Sequence, residues 1–183
     1  DVYAMYQSLV GNAVVSEALL WKDTPKEKAG DFNHLMEVLD WDLNVDPDFV
    51  KNRFMRPVPV RPLQEMEQAG YIEKWICYKS EAFSAKELTV LPGTEVFIKD
   101  EAAYGMIMMQ GHGTMGVWEI ETPSLIRFGQ LTRDEYYVSE QAALEGVRII
   151  NTSKSDPIVM LKHFGPENPE WVRWFNEYQN REK

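Results

Sequence analysis

Leu88-Thr89-Val90-Leu91, Pro92-Gly93, Glu95-Val96-Phe97-Ile98 and Lys99-Asp100-Glu101 open the stretch, Leu88 to Pro166, whose reading decides the fold. Tyr104–Gln110 follows, then the glycine-studded Gly111-His112-Gly113-Thr114-Met115-Gly116. Val117–Ile120, Leu125–Phe128, Tyr136–Val138, Val147–Ile150 and Ile158–Phe164 complete the run. Short apolar segments separated by Gly, Pro, Asp and Ser at fairly even spacing predict an antiparallel sandwich or small barrel. No segment has the length for a helical crossover, which argues against a parallel α/β sheet.

Outward from this run, Ser80–Lys86 reads as a turn entering it. Tyr71–Lys79 reads as a strand with Trp75 and Cys77 on one face and Tyr78 on the other. Arg56-Pro57-Val58-Pro59-Val60-Arg61-Pro62 carries three prolines in seven residues and predicts an extended connector. It divides the chain into 1–55, the connector 56–62, and 63–183. In the first part, Val2–Leu9 and Ala13–Trp21 read as a hairpin about Gly11-Asn12. A lone hairpin is marginal in water, so a missing N-terminal partner is expected to cover it. Asp31 is an expected N-cap for a helix ending near Asp40–Trp41, with Phe32, Leu35, Met36, Val38 and Leu39 as its apolar stripe. A short helix with Pro47 at its first position is expected next, presenting Phe49, Val50, Arg53 and Phe54. At the other end, Asn168-Pro169 predicts a helix start, and Trp171, Trp174, Phe175 and Tyr178 form an aromatic stripe for packing on the barrel or on a neighbouring chain.

The 183 residues carry a net charge of −10, with 44% apolar residues and six Trp. A packed core is affordable, and an acidic surface argues against nucleic acid and against anionic membranes. No apolar run reaches the roughly 20 residues of a membrane span. One cysteine, Cys77, precludes an internal disulfide and fits a reducing, cytoplasmic setting. The chain opens on Asp1-Val2-Tyr3 directly into a strand-like pattern, and is read as a fragment of a longer chain.

The pattern Pro92-Gly93…Gly111-x-Gly113 resembles the first motif of cupin barrels. Asp134–Val138 followed by Gly146–Thr152 resembles the second. In metal-binding cupins these motifs supply two His and a Glu, then a further His. Here Phe97-Ile98-Lys99-Asp100 stands in place of the His pair, Tyr104 is near the place of the glutamate, and Gly146 or Val147 stands for the last His; Asn151 is kept. The resemblance therefore implies a cupin-like antiparallel barrel, mainly β, without its metal. The larger order of elements resembles the C-terminal part of type I mannose-6-phosphate isomerases. That resemblance implies an upstream cupin domain of the same polypeptide holding a Zn-like divalent metal for aldose–ketose isomerisation. This segment would be its non-catalytic half, with no catalytic residue, cofactor or metal of its own. The family's active-site arginine would fall near Val15 or Ser16 and is absent.

The alternative reading is a metal-free cupin module that binds a small sugar, a sugar phosphate or a protein partner, or assembles as a homo-oligomer. Lys99 and Asp100, in a charged and largely solvated loop at the barrel mouth, are its candidate ligand contacts. A third reading places a metal at His112, Glu119 and Glu121; a turn histidine beside two solvent-facing strand carboxylates is the favoured account of those residues. His34 is expected to be partly buried, and His163 to be structural or exposed. Met106, Met108, Met109 and Met115 are expected to fill the barrel, and Cys77 to be an inert thiol. The string Gly111–Gly116 matches a dinucleotide pattern in letters only, since strand-like residues follow where a helix is required.

Overall fold

A computed structural model describes residues 9–10, 13–14, 18, 21–124, 128–129 and 131–181. The chain divides into two compact units, Asp1–Phe54 and Met55–Lys183.

In the first unit, β1 (Leu9–Val10) and β2 (Ala13–Val14) pair antiparallel, Leu9 opposite Val14. Most of the expected hairpin lies outside the described residues; Trp21, read as its end, lies in a turn. A 3₁₀ turn at Lys26–Lys28 leads to α1 (Phe32–Val38). The Asp31 carboxylate accepts hydrogen bonds from the Asn33 and His34 amides, as its position before the apolar run predicted. The helix stops two residues before the expected end. Asp40 then caps a separate turn, α2 (Trp41–Asn44), by accepting from the Leu43 amide. Of the expected stripe only Leu35 is buried, while Phe32, Met36 and Val38 are exposed. α3 (Phe49–Arg53) begins two residues beyond Pro47, because the Asp46 carboxylate binds the Asp48 amide and the Asn52 side chain in a local turn.

The second unit is mainly antiparallel β. The strands are β3 (Val58–Pro59), β4 (Tyr71–Cys77), β5 (Ser84–Val90), β6 (Glu95–Ile98), β7 (Tyr104–Gln110), β8 (His112–Met115), β9 (Trp118–Glu121), β10 (Glu135–Val138), β11 (Val147–Asn151) and β12 (Ile158–Phe164). They form a six-stranded sheet, β10-β7-β12-β5-β4-β3, and a four-stranded sheet, β6-β11-β8-β9. Among the described residues, the two sheets are not joined by strand pairing into a closed barrel. The fold is mainly antiparallel β with a few short helices. Its core comes from alternate positions: Leu88 and Val90, Val96 and Ile98, Tyr104, Met106 and Met108, and Ile158, Met160 and Phe164. Met115 joins them, whereas Met109, at outward parity, is exposed.

The Pro-rich connector supplies the edge strand β3, where a missing amide donor is tolerated. Three readings need correction. Lys86, placed in a turn, belongs to β5, which begins at Ser84. His112–Met115, read as turn, is strand β8, and only Gly111 lies between it and β7. Gly111 has φ +93°, and a Cβ there would lie 2.7 Å from the Pro157 carbonyl oxygen. Of the Leu125–Phe128 run, Phe128 lies in a turn and is exposed, and the rest is outside the described residues.

Helices α4 (Leu63–Gln68), α5 (Glu140–Glu145) and α6 (Pro169–Arg181) complete the unit. The first two were not anticipated. α5 is a six-residue turn capped by Ser139, whose hydroxyl accepts from the Ala142 amide. α6 begins where Asn168-Pro169 predicted, with the Asn168 side chain accepting from the Glu170 amide. Its aromatic stripe packs on β4 and the residue after it. Trp174 lies 5.5 Å from Trp75 and 5.3 Å from Tyr78, and the Trp171 indole donates to the Tyr78 carbonyl. Asn151 is buried, and its amide donates to the Val90 and Asp156 carbonyls while its oxygen accepts from the Ser153 amide. Asn151 thereby pins the turn that follows β11.

Candidate functional site

Five ionisable side chains meet inside the second unit. Lys86 on β5 and Lys162 on β12 occupy inward positions continuous with the apolar core, one flanked by Leu88 and the other by Met160 and Phe164. Both are fully buried. Glu73 enters from β4, Asp100 from the loop after β6, and Glu170 from the first turn of α6. Lys162 Nζ lies 2.5 Å from Glu73 Oε1 and 2.7 Å from Asp100 Oδ2. Lys86 Nζ lies 2.9 Å from Asp100 Oδ1, 2.6 Å from Glu170 Oε2 and 3.6 Å from Glu73 Oε2. Asp100 thus bridges the two ammonium groups with its two oxygens. Rings complete the enclosure: Lys86 lies 4.8 Å from the Trp75 centroid and Lys162 5.1 Å from that of Tyr104.

Burial alone would discharge these groups, but their neighbours decide otherwise. Burial opposes the charged form of Lys162, and Glu73 and Asp100 outweigh it, holding the ammonium above its usual range. For Lys86, burial and the repulsion of Lys162 are overcome by the attraction of Glu73, Asp100 and Glu170. Burial would raise the Asp100 carboxyl, and the two lysines hold it low. Glu170 differs: burial raises it, Lys86 only partly offsets this, and Glu73 and Asp100 push it further up. Although Glu170 makes the short contact with Lys86, that lysine is shared among three carboxylates, so Glu170 is the least compensated. The Tyr104 hydroxyl is also raised, first by burial and then by Asp100 and Glu73.

A cavity of about 200 Å³ opens onto this cluster through the seam between the sheets. Val60 and Arg61 beyond β3, Tyr71 and Glu73 of β4, Phe97 and Ile98 of β6, Lys99 and Glu170 line it. Lys99, expected at the mouth, is exposed and lines the opening. Asp100, read in a largely solvated loop, is instead buried at 2% exposure and turned inward to the lysines.

The remaining site candidates lie elsewhere. His112 is exposed on β8 opposite Glu121. Glu119 and Glu121 are drawn to Arg133, at 3.0 and 3.4 Å. Among the described residues, no group of three His, Cys, Asp or Glu side chains is placed to hold a metal ion. His163 is exposed on β12 and His34 is half-buried in the first unit. Cys77 is partly buried, and burial pushes its thiol up. A divalent metal in the interior does not fit the donors present: each interior carboxylate already faces an ammonium group, and none of the chain's three histidines points there.

The network was missed because its members read as unrelated features: a turn lysine, a strand lysine, a strand glutamate, a loop aspartate and a helix-cap neighbour. The available signal was Lys162, a charge at inward parity between Met160 and Phe164.

Two antiparallel sheets with a cluster of inward-facing charged side chains define the second unit. No family model matches the chain, and no curated protein matches it. Among solved structures it is similar to a cupin-2 domain from Rhodospirillum rubrum, at 11% identity over 54% of this chain and 62% of that one, TM-score 0.38. The match thus spans less than two thirds of that protein's length. A cupin 2 domain-containing protein from Halorhodospira halophila matches at 15% identity over 58% of this chain and 83% of that one, TM-score 0.41. An RmlC-like cupin from Shewanella frigidimarina matches at 12% identity over 66% of this chain and 96% of that one, TM-score 0.41. No helix among the described residues is long and apolar enough to cross a membrane.

Proposed function

We propose that the second unit is a non-catalytic, metal-free cupin-like module that binds a small polar ligand at its seam. The observation that carries this reading is the interior itself: Lys86 and Lys162 engage Glu73 and Asp100 in ion pairs, so these carboxylates are not free to take a metal. Two buried ammonium groups repel a divalent cation, and displacing either strands a carboxylate in a low-dielectric core. Lys99 on an open cavity supports ligand binding over a purely supporting role. A sugar or sugar phosphate is the ligand class that the resemblance implies. The resemblance in element order also suggests a parent of the mannose-6-phosphate isomerase type, whose metal and chemistry belong to an upstream cupin domain.

The test is metal content and turnover of this chain. After equilibration with Zn²⁺, Mn²⁺ or Ni²⁺ and removal of excess, bound metal should be well below stoichiometric, and mannose-6-phosphate should not be isomerised. Stoichiometric metal together with isomerisation would overturn the proposal.

A further inference from the structure

The geometry points to a small zwitterion as the seam ligand, its ammonium toward Glu73 and Glu170 and its carboxylate toward Arg61 and Lys99. This rests on the binding-module reading above and names the ligand class of the same site.

Charge sets the polarity of the site. The interior sets three carboxylates, Glu73, Asp100 and Glu170, against two ammonium groups, Lys86 and Lys162. With all three carboxylates ionised, one negative charge exceeds the two ammonium groups, and Arg173 of α6, paired at the surface with Glu101, attracts Glu170 only from outside the cluster. Asp100 is sealed between the lysines, so the excess falls on Glu73 and Glu170, the two members that reach the cavity. Glu170 retains 28% side-chain exposure, and that exposure is where a third cation can approach. Tyr71 and Phe97 line the cavity with these carboxylates and supply aromatic surface of the kind that accommodates an ammonium group. At the outer rim the sign reverses: Arg61 and Lys99 are exposed cations lining the same cavity.

This polarity sorts the ligand classes. A simple anion finds the rim cations but faces two carboxylates inside. A bare cation finds the carboxylates but must pass Arg61 and Lys99. A neutral polyol supplies hydroxyl donors without compensating the excess charge. A molecule with a positive and a negative end satisfies both ends. Size narrows it further, because about 200 Å³ lies below the roughly 300–1,000 Å³ of drug-sized pockets. An amino-acid-sized molecule fits that volume.

The experiment is calorimetric titration of the full chain with glycine, β-alanine and γ-aminobutyrate. Propylamine and propionate are the single-charge controls, and mannose and mannose-6-phosphate the sugar controls. At least one zwitterion should bind, and each single-charge control should bind at least about tenfold more weakly, since each lacks one charge-assisted contact. Lys99→Met and Arg61→Met alter exposed side chains outside the core, so they test the rim in a folded protein. Each should weaken the zwitterion about tenfold and leave propylamine no weaker, since a cation is repelled by the rim. Glu170→Gln should weaken the zwitterion and propylamine together.

Equal binding of zwitterion and single-charge controls overturns the inference. So does preference for mannose-6-phosphate, which would leave the binding module standing with a different ligand. Absence of binding by every probe overturns it as well, and the metal and turnover measurements then judge the non-catalytic reading on their own.

Discussion

Replacing Lys162 with Met removes one ammonium group while nearly preserving the side chain's length and apolar stem. At an effective dielectric of about 20, each contact of about 2.7 Å is worth roughly 6 kcal/mol of gross attraction. Lys162 makes two such contacts, to Glu73 and Asp100. The gross attraction is largely offset by desolvation of several kcal/mol for each buried ion. The variant keeps the carboxylates' desolvation and loses their compensation. The expected net loss is therefore about 3–5 kcal/mol, the range for breaking a buried pair. That is a large share of the roughly 5–15 kcal/mol typical of a folded domain.

The loss should also acquire a pH signature. In the native protein Asp100 is held below its ordinary value, so its stabilisation is present above about pH 4 and fades as pH falls through the lower folded value. Without Lys162, burial dominates and raises the interior carboxyls above their unfolded values. The variant's deficit then narrows as pH is lowered from 7 toward 5, because the folded state takes up protons first. Urea unfolding of both proteins at several pH values reads this directly. Adding Asp100→Asn to Lys162→Met should recover part of the loss, giving a coupling of about 1–3 kcal/mol in a double-mutant cycle. A Lys162→Met loss below about 1 kcal/mol, unchanged between pH 5 and 7, would refute the account of the interior as a mutually compensating ion network.

Arg133→Ala, which breaks half-exposed pairs with Glu119 and Glu121, should change stability by less than about 1 kcal/mol in the same unfolding assay. Asn151→Ala strips the partners from the Val90 carbonyl and the Ser153 amide, and should cost about 1–3 kcal/mol. Gly113→Ala places a Cβ against the Ile150 carbonyl oxygen on the paired strand β11; backbone cannot rotate away, and a loss of about 1–3 kcal/mol in thermal or urea unfolding is expected. At alkaline pH, the contribution of Lys162 should persist past the ordinary lysine range and be lost only as pH rises through its raised folded value.

Much of the second unit was legible in the chain. Glu95–Ile98, Tyr104–Gln110 and Ile158–Phe164 are strands at the boundaries their alternation and flanking turn residues gave. Asn168-Pro169 announced α6, and the prolines of 57–62 confined β3 to an edge. These signals are local: a period of two, a fixed proline φ, a cap side chain reaching its own helix. The short helices α4 and α5 escaped because six residues make too few turns for a periodic stripe to stand out. What only the tertiary structure decided is where the charges go. Whether Lys86, Asp100 or Glu170 faces water or the core depends on partners 14 to 84 residues away. A buried ion is tolerable only where those distant strands deliver its counter-charge. The sequence alone carried the antiparallel strand pattern and its turns, because those signals are local; packing alone gathered the lysines and carboxylates of distant strands into one interior and left a charged seam beside them.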